Sequence, residues 1–115
     1  MILQLYLHFP FCKRKCLYCD FVSAAASGET MAAYCAALEK EIRLMGERYP
    51  GAEISTVFLG GGTPSIVPAP MMKSLLRTLR SSFTLRPDVE FTSEANPGTL
   101  TEAWLETLMD AGMNR

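Results

Sequence analysis

The sequence predicts an α/β fold built on a parallel sheet, and three observations carry that reading. A β-rich apolar run is followed by a helical pattern three times in succession. Each run opens into a loop rich in glycine, proline or cysteine, and each helical stretch is long enough to serve as a right-handed crossover between parallel neighbours. The chain has 115 residues, of which 49% are hydrophobic and 20% charged, the balance of one small globular domain.

The first strand reads as Ile2 to Phe9, apolar and aromatic, and stops at Pro10, which has no N–H to give a ladder. The opening MILQLYLHFP is interrupted by Gln4 and His8, lacks a basic leader and is followed by charge, so it reads as a strand of the mature protein and not a secretion signal. No apolar run approaches the roughly 18 residues of a membrane helix. A cysteine-bearing loop comes next, and SAAASGE reads as a weakly ordered link. From Thr30 to Arg48 the residues Met31, Tyr34, Cys35, Leu38, Ile42 and Met45 recur at helical spacing, with Glu39, Lys40, Arg43 and Glu47 on the other face. YPG at 49–51 closes that helix.

Ile54 to Leu59 forms the second strand and runs into GGGTPS. Met72, Leu75, Leu76, Leu79 and Phe83 mark the second helix, with Lys73, Arg77 and Arg80 outside. The third strand is Val89 to Glu94, and ANPGT is its turn. Thr99 followed by Glu102 resembles a capping box ahead of a helix carrying Leu105, Leu108 and Met109, and Gly112 is its stop signal. The pattern reaches Asn114 and Arg115 where a fourth strand would begin. A three-stranded parallel sheet would leave an open edge there, so the expectation is one part of a larger barrel-like domain, with no boundary inside residues 1–115.

A formal net charge of −1 and a pI near 5.8 give no basic footprint for nucleic acid or an anionic membrane face. Of the four cysteines, three cluster in FCKRKCLYCDF and one lies in a helical pattern, which is poor material for a disulfide scaffold. A reducing, cytoplasmic setting with metal or redox chemistry follows. Cys12, Cys16 and Cys19 make the spacing C-x3-C-x2-C. Three thiolates can hold three corners of a 4Fe-4S cluster and leave the fourth iron open to a ligand. A structural zinc is the alternative and would need a fourth donor, either His8 or Cys35. The intervening Lys13, Arg14 and Lys15 are solvated loop charges, or charges that offset the thiolates.

Gly60, Gly61 and Gly62 let the backbone approach a small ligand closely, although they lack the spacing of a nucleotide loop. Glu94 is a carboxylate at the C-terminal end of a strand, the side on which parallel sheets place ligands. Tyr6 and Tyr18 read by default as core or loop aromatics, and His8 as a strand residue with its ring hydrogen-bonded. Cys35, Trp104 and the methionines read as packing.

The stretch YLHFPFCKRKCLYCDF, with Tyr18 just before its third cysteine, resembles the cluster loop of the radical S-adenosylmethionine (SAM) superfamily. Its leading Y-x-H-x-P-F-C is similar in particular to the branch of oxygen-independent coproporphyrinogen III oxidases and HemW-type heme chaperones. GGGTPS at 60–65 and EANPGT at 94–99 follow at the next two strand ends, in the order that family has them, so the resemblance covers essentially the whole chain. It implies the first half of a partial (β/α)6 barrel, with a 4Fe-4S cluster held by Cys12, Cys16 and Cys19. It further implies that Tyr6, Tyr18, Gly61, Gly62, Thr63 and Glu94 contact SAM.

The chemistry implied is chelation of SAM's methionine end by the open iron, then reductive cleavage of a carbon–sulfur bond to a 5′-deoxyadenosyl radical. Oxidases of the branch carry a further cysteine two residues after the third, where this chain has Phe21. That departure favours a heme chaperone over a decarboxylating oxidase. The partners implied are SAM, heme or a porphyrinogen, and an electron donor, with heme-binding residues expected beyond residue 115.

Overall fold

The computed structural model describes residues 1–12, 24–25 and 27–115. Cys16, Tyr18, Cys19 and Phe21, together with Lys13, Arg14 and Lys15, lie outside the described residues. The elements in order are β1 (Ile2–Phe9), β2 (Phe11–Cys12), β3 (Ala24–Ala25), α1 (Gly28–Arg48), β4 (Glu53–Gly61), a 3-10 turn (Pro64–Ile66), α2 (Ala69–Ser82), β5 (Thr84–Ser93) and α3 (Glu102–Asp110). The main sheet has the order β1-β4-β5, and both pairings are parallel. The expected α/β architecture of three successive strand-and-helix units is therefore present.

Strand alternation separates two faces. Leu7, Phe9, Val57, Leu59, Val89 and Phe91 are buried together with Met72, Leu75, Leu79, Trp104 and Leu108 of the helices. Each such large side chain adds about 1.5–3 kcal/mol of transfer free energy when fully buried. On the opposite face Tyr6 is 58% and Phe58 37% exposed, and the register sets these two side by side. Cys35 is in the core as expected, at 3% exposure.

Local chemistry explains the helix ends. The Ser27 hydroxyl accepts the Thr30 N–H at 3.1 Å, so α1 begins at Gly28, ahead of the predicted Thr30. The link before it is also more ordered than expected, because Ala24–Ala25 pairs in parallel with β2. Gly51 turns the chain after α1 with φ of 78°, and Gly112 does so after α3 with φ of 107°.

Three expectations are corrected. The cap of α3 is Thr101, whose hydroxyl accepts the Trp104 N–H at 3.1 Å, and not Thr99. Thr101 immediately precedes the helix, whereas the Thr99 hydroxyl is occupied elsewhere. Met45 and Met109, predicted to face the core, are 40% and 65% exposed near the C-terminal ends of their helices. Glu39, predicted to be solvated, instead accepts hydrogen bonds from Ser74 at 3.0 Å and Thr78 at 2.5 Å, joining α1 to α2.

The outer edge of β5 carries the start of a further pairing, as the sequence suggested. Asn114 N–H donates to the Phe91 carbonyl at 2.9 Å, and Ser93 N–H donates to the Arg115 carbonyl at 3.2 Å. The Asn114 side chain reinforces this by accepting from Phe91 N–H and donating to the Val89 carbonyl, each at 2.9 Å. Among the described residues no helix is long and apolar enough to cross a membrane.

Candidate functional site

The predicted site residues that lie among the described ones collect toward the C-terminal ends of β1, β4 and β5. After Pro10 the chain turns from β1 into β2, where Phe11 pairs with Ala24 and Cys12 with Ala25. That pairing brings together the two ends of the segment 13–23, so β2 and β3 form the neck of the cysteine loop. Cys12 is partly exposed and, among the described residues, forms no disulfide.

The neck is fastened to the glycine loop and to α1. Thr63 N–H donates to the Phe11 carbonyl at 2.6 Å, and Gly62 N–H to the Phe9 carbonyl at 2.8 Å. The Phe11 ring meets Tyr34 edge-on, with centroids 5.1 Å apart and planes at 84°. Tyr34 donates its hydroxyl proton to the His8 carbonyl. Its phenol is raised above the ordinary value of 10.0 by burial first and then by the charge of Glu41, which keeps it a donor at neutral pH. Gly62 is needed here because a Cβ at that position would run into the Phe11 carbonyl oxygen and lie 2.9 Å from the Phe11 N and C atoms. Two backbones in contact leave no room for a side chain.

Gly61 has φ of 110°, and a Cβ on it would stand 2.7 Å from His8 Nδ1. The His8 ring is also 3.1 Å from the Tyr6 hydroxyl, the hydrogen-bonded ring that the sequence reading expected. Tyr6 stacks on Phe58 with centroids 5.9 Å apart. Glu94 follows β5 directly, its N–H donating to the Leu59 carbonyl at 3.0 Å, and its carboxylate lies over Gly60. Gly62, Thr63, Pro64, Glu94 and Asn96 line a polar cleft of about 230 Å³.

Whole small-molecule sites occupy about 300–1,000 Å³, so this cleft suits one end of a ligand. A carboxylate, a threonine and glycine backbone groups fit an ammonium and carboxylate pair such as the methionine end of SAM. Cys12, at the neck of the cysteine loop, is a partly exposed thiol, a donor that suits a soft metal centre. The described residues therefore fit the methionine end of SAM, and Cys12 supplies one donor of the kind a soft metal centre takes.

The structure brings Tyr6, Cys12, Gly61, Gly62, Thr63 and Glu94 to one end of the sheet. Cys16, Cys19 and Tyr18 lie outside the described residues. Sequence reasoning passed over Ser65 and Asn96, which join the glycine loop to the loop after β5, and it gave Gly60 no partner. The one signal for them was their position inside the two motif strings.

Known proteins match the chain along most of its length. The model of the radical SAM superfamily matches residues 6–115. Heme chaperone HemW of Escherichia coli (strain K12) is 41% identical over 114 residues, covering 98% of this chain and 30% of HemW. Oxygen-independent coproporphyrinogen III oxidase of Paracoccus denitrificans (strain Pd 1222) is 36% identical over 115 residues, 98% of this chain and 26% of the oxidase. Among solved structures, coproporphyrinogen III oxidase (HemN) from Escherichia coli, a radical SAM enzyme, superposes with a TM-score of 0.90 at 30% identity over 97% of this chain and 26% of HemN. The chain thus spans less than a third of the length of these relatives. Proteins of this family in general bind a 4Fe-4S cluster and SAM. With the family model matching residues 6–115 and the fold superposing on HemN, the chain belongs to the radical SAM superfamily.

Proposed function

We propose that this chain is the N-terminal part of a radical SAM core in a HemW-like heme chaperone. Cys12, Cys16 and Cys19 hold a 4Fe-4S cluster, and Tyr6, Tyr18, Gly61, Gly62, Thr63 and Glu94 contact SAM. The observation that carries this reading is the Thr63 to Phe11 hydrogen bond of 2.6 Å, which couples the neck of the cysteine loop to the proposed SAM loop. The HemW reading is supported by the 41% identity to a heme chaperone and by Phe21 at the position where the oxidases carry a cysteine. Heme itself would be held by residues beyond 115.

In this reading the chain's own residues bind and orient. The Glu94 carboxylate accepts from the methionine ammonium in a charge-assisted hydrogen bond, and Gly61, Gly62 and Thr63 offer backbone and hydroxyl partners at the same end. Cys12 supplies a thiolate, and the Phe11 neck keeps it in register with the cleft. When bound, the cluster and SAM supply the electron and the carbon–sulfur bond to be broken. The setting is the reducing cytoplasm, which an electron donor shares, and neither nucleic acid nor membrane insertion has a role.

A second reading is an oxygen-independent coproporphyrinogen III oxidase, favoured by the 0.90 TM-score to HemN. Anaerobic reconstitution of the protein with iron and sulfide tests the shared part. The expected result is a cluster absorption band and an EPR signal that changes on adding SAM, with Cys12→Ala abolishing both. A colourless protein holding one zinc and indifferent to SAM would overturn it. Heme titration and a coproporphyrinogen III decarboxylation assay then separate chaperone from oxidase. Heme binding without decarboxylation is expected, and SAM-dependent decarboxylation would favour the second reading.

A further inference from the structure

The loops that line the cleft are tied together by a closed chain of hydrogen bonds. Ser65, in the turn after the glycine loop, is only 4% exposed. Its Oγ accepts the Asn96 N–H at 3.0 Å and lies 2.6 Å from Thr99 Oγ1. Thr99 Oγ1 in turn donates to the Asn96 carbonyl at 3.1 Å.

Counting protons fixes the direction of these bonds. Each hydroxyl has one proton to give. If Thr99 donated to Ser65, the buried Ser65 proton would have no acceptor among the described residues, and leaving a buried donor unpaired is costly. Ser65 therefore donates to Thr99, Thr99 donates to the Asn96 carbonyl, and Asn96 N–H returns to Ser65. Both backbone polar groups of Asn96 are thereby engaged by hydroxyls from the two motif loops.

The consequence falls on Glu94. The segment from Glu94 to Asn96 is pinned at one end by Glu94 N–H on the Leu59 carbonyl at 3.0 Å and at the other by Asn96 N–H on Ser65. We infer that Ser65 and Thr99 are positioning residues, which hold the Glu94 carboxylate over the glycine loop at the separation the cleft needs. They touch no ligand themselves. This inference rests on the proposal that the cleft takes the methionine end of SAM.

The test uses the reconstituted protein with Ser65→Ala, Thr99→Val, Thr99→Ser and, as a control, Thr78→Ala, which removes a part-buried hydrogen bond to Glu39 away from the site. SAM affinity is measured by equilibrium dialysis, iron content by chemical assay, and exchange of the Asn96 amide by NMR or mass spectrometry. Ser65→Ala and Thr99→Val should each weaken SAM binding about tenfold with iron content unchanged, while Thr99→Ser, which keeps the hydroxyl, stays near the native value. Asn96 exchange should speed up in Ser65→Ala, and Thr78→Ala should lose stability without losing SAM affinity.

Native SAM affinity in Ser65→Ala overturns the inference, and so does an equal loss in Thr78→Ala, since the effect would then be general destabilisation. If the native protein binds no SAM, the proposed function fails. The ring is then decided by Asn96 exchange alone: unchanged exchange in Ser65→Ala refutes it, and faster exchange upholds it.

Discussion

The carboxylate of Glu94 lies over the bare Cα of Gly60: a Cβ placed on that glycine would stand 2.7 Å from Glu94 Oε1 and 2.6 Å from Phe58 Cε1. Parallel pairing of Leu59 with Ser93 makes the two residues neighbours across the sheet, and the missing side chain lets the carboxylate settle there. Gly60→Ala would push aside the ends of two flexible side chains, so the fold should survive with a loss of about 1–3 kcal/mol. SAM affinity should fall about tenfold while iron content holds. Unchanged affinity in equilibrium dialysis would remove Glu94 from the proposed contacts.

Gly62→Ala should behave differently, because the neighbour that must yield is the Phe11 backbone. Overpacking of this kind costs about 1–3 kcal/mol and cannot be relieved by a rotamer change. The strain falls on the neck of the cysteine loop, so cluster incorporation should drop along with the urea midpoint. A variant that takes up iron as well as the native protein would show that the neck tolerates displacement.

The two candidate caps of α3 are separable by mutation. Thr101→Ala removes the hydroxyl that accepts the Trp104 N–H and should cost about 0.5–2 kcal/mol, with Thr101→Ser restoring most of it. SAM affinity should not change in either variant. Equal stability of Thr101→Ala and native protein in urea would argue that the helix start is held by Trp104 packing alone.

Core and surface of α2 should respond in opposite ways. Leu75 is fully buried, and Leu75→Ala should lose about 2–5 kcal/mol of stability. Lys73 is exposed on the outer face of the same helix, and Lys73→Ala should stay within about 0.5 kcal/mol of native. A large loss at Lys73 would reveal a contact on that face outside the described residues.

Alkaline stability should depend on Cys35. Burial first, and then the charge of Glu39, raise its thiol above the ordinary value of 9.0. The unfolded chain therefore releases this proton at lower pH than the native one does. Its contribution to stability is fully present below about pH 9 and is lost as pH rises through the folded value. Cys35→Ala should flatten the fall in urea midpoint across that window. An unaltered slope would assign the alkaline loss to Tyr34, whose phenol is raised in the same sense.

Much of the fold could be read from residue patterns because those patterns are local. β1 spans Ile2–Phe9 as predicted, since its apolar alternation and Pro10 both act within the strand. The second helix was equally clear from its spaced leucines, which the core buries. Misreadings arose where a side chain had two uses. Thr99 has the sequence setting of a helix cap, yet its hydroxyl is claimed by Ser65, and Glu39 has the setting of a solvated charge, yet two hydroxyls of α2 reach it.

The sequence by itself determined the α/β class, the order of the three motif loops and their place at the carboxyl ends of strands, because hydrophobic period and turn chemistry are properties of short segments. Only the tertiary structure decided which residues of those loops touch. Glu94 over Gly60, Ser65 against Thr99 and Thr63 bound to Phe11 each join segments far apart in the chain. Those contacts follow from the parallel register of β1, β4 and β5, which is set by the packing of one whole sheet face against the helices.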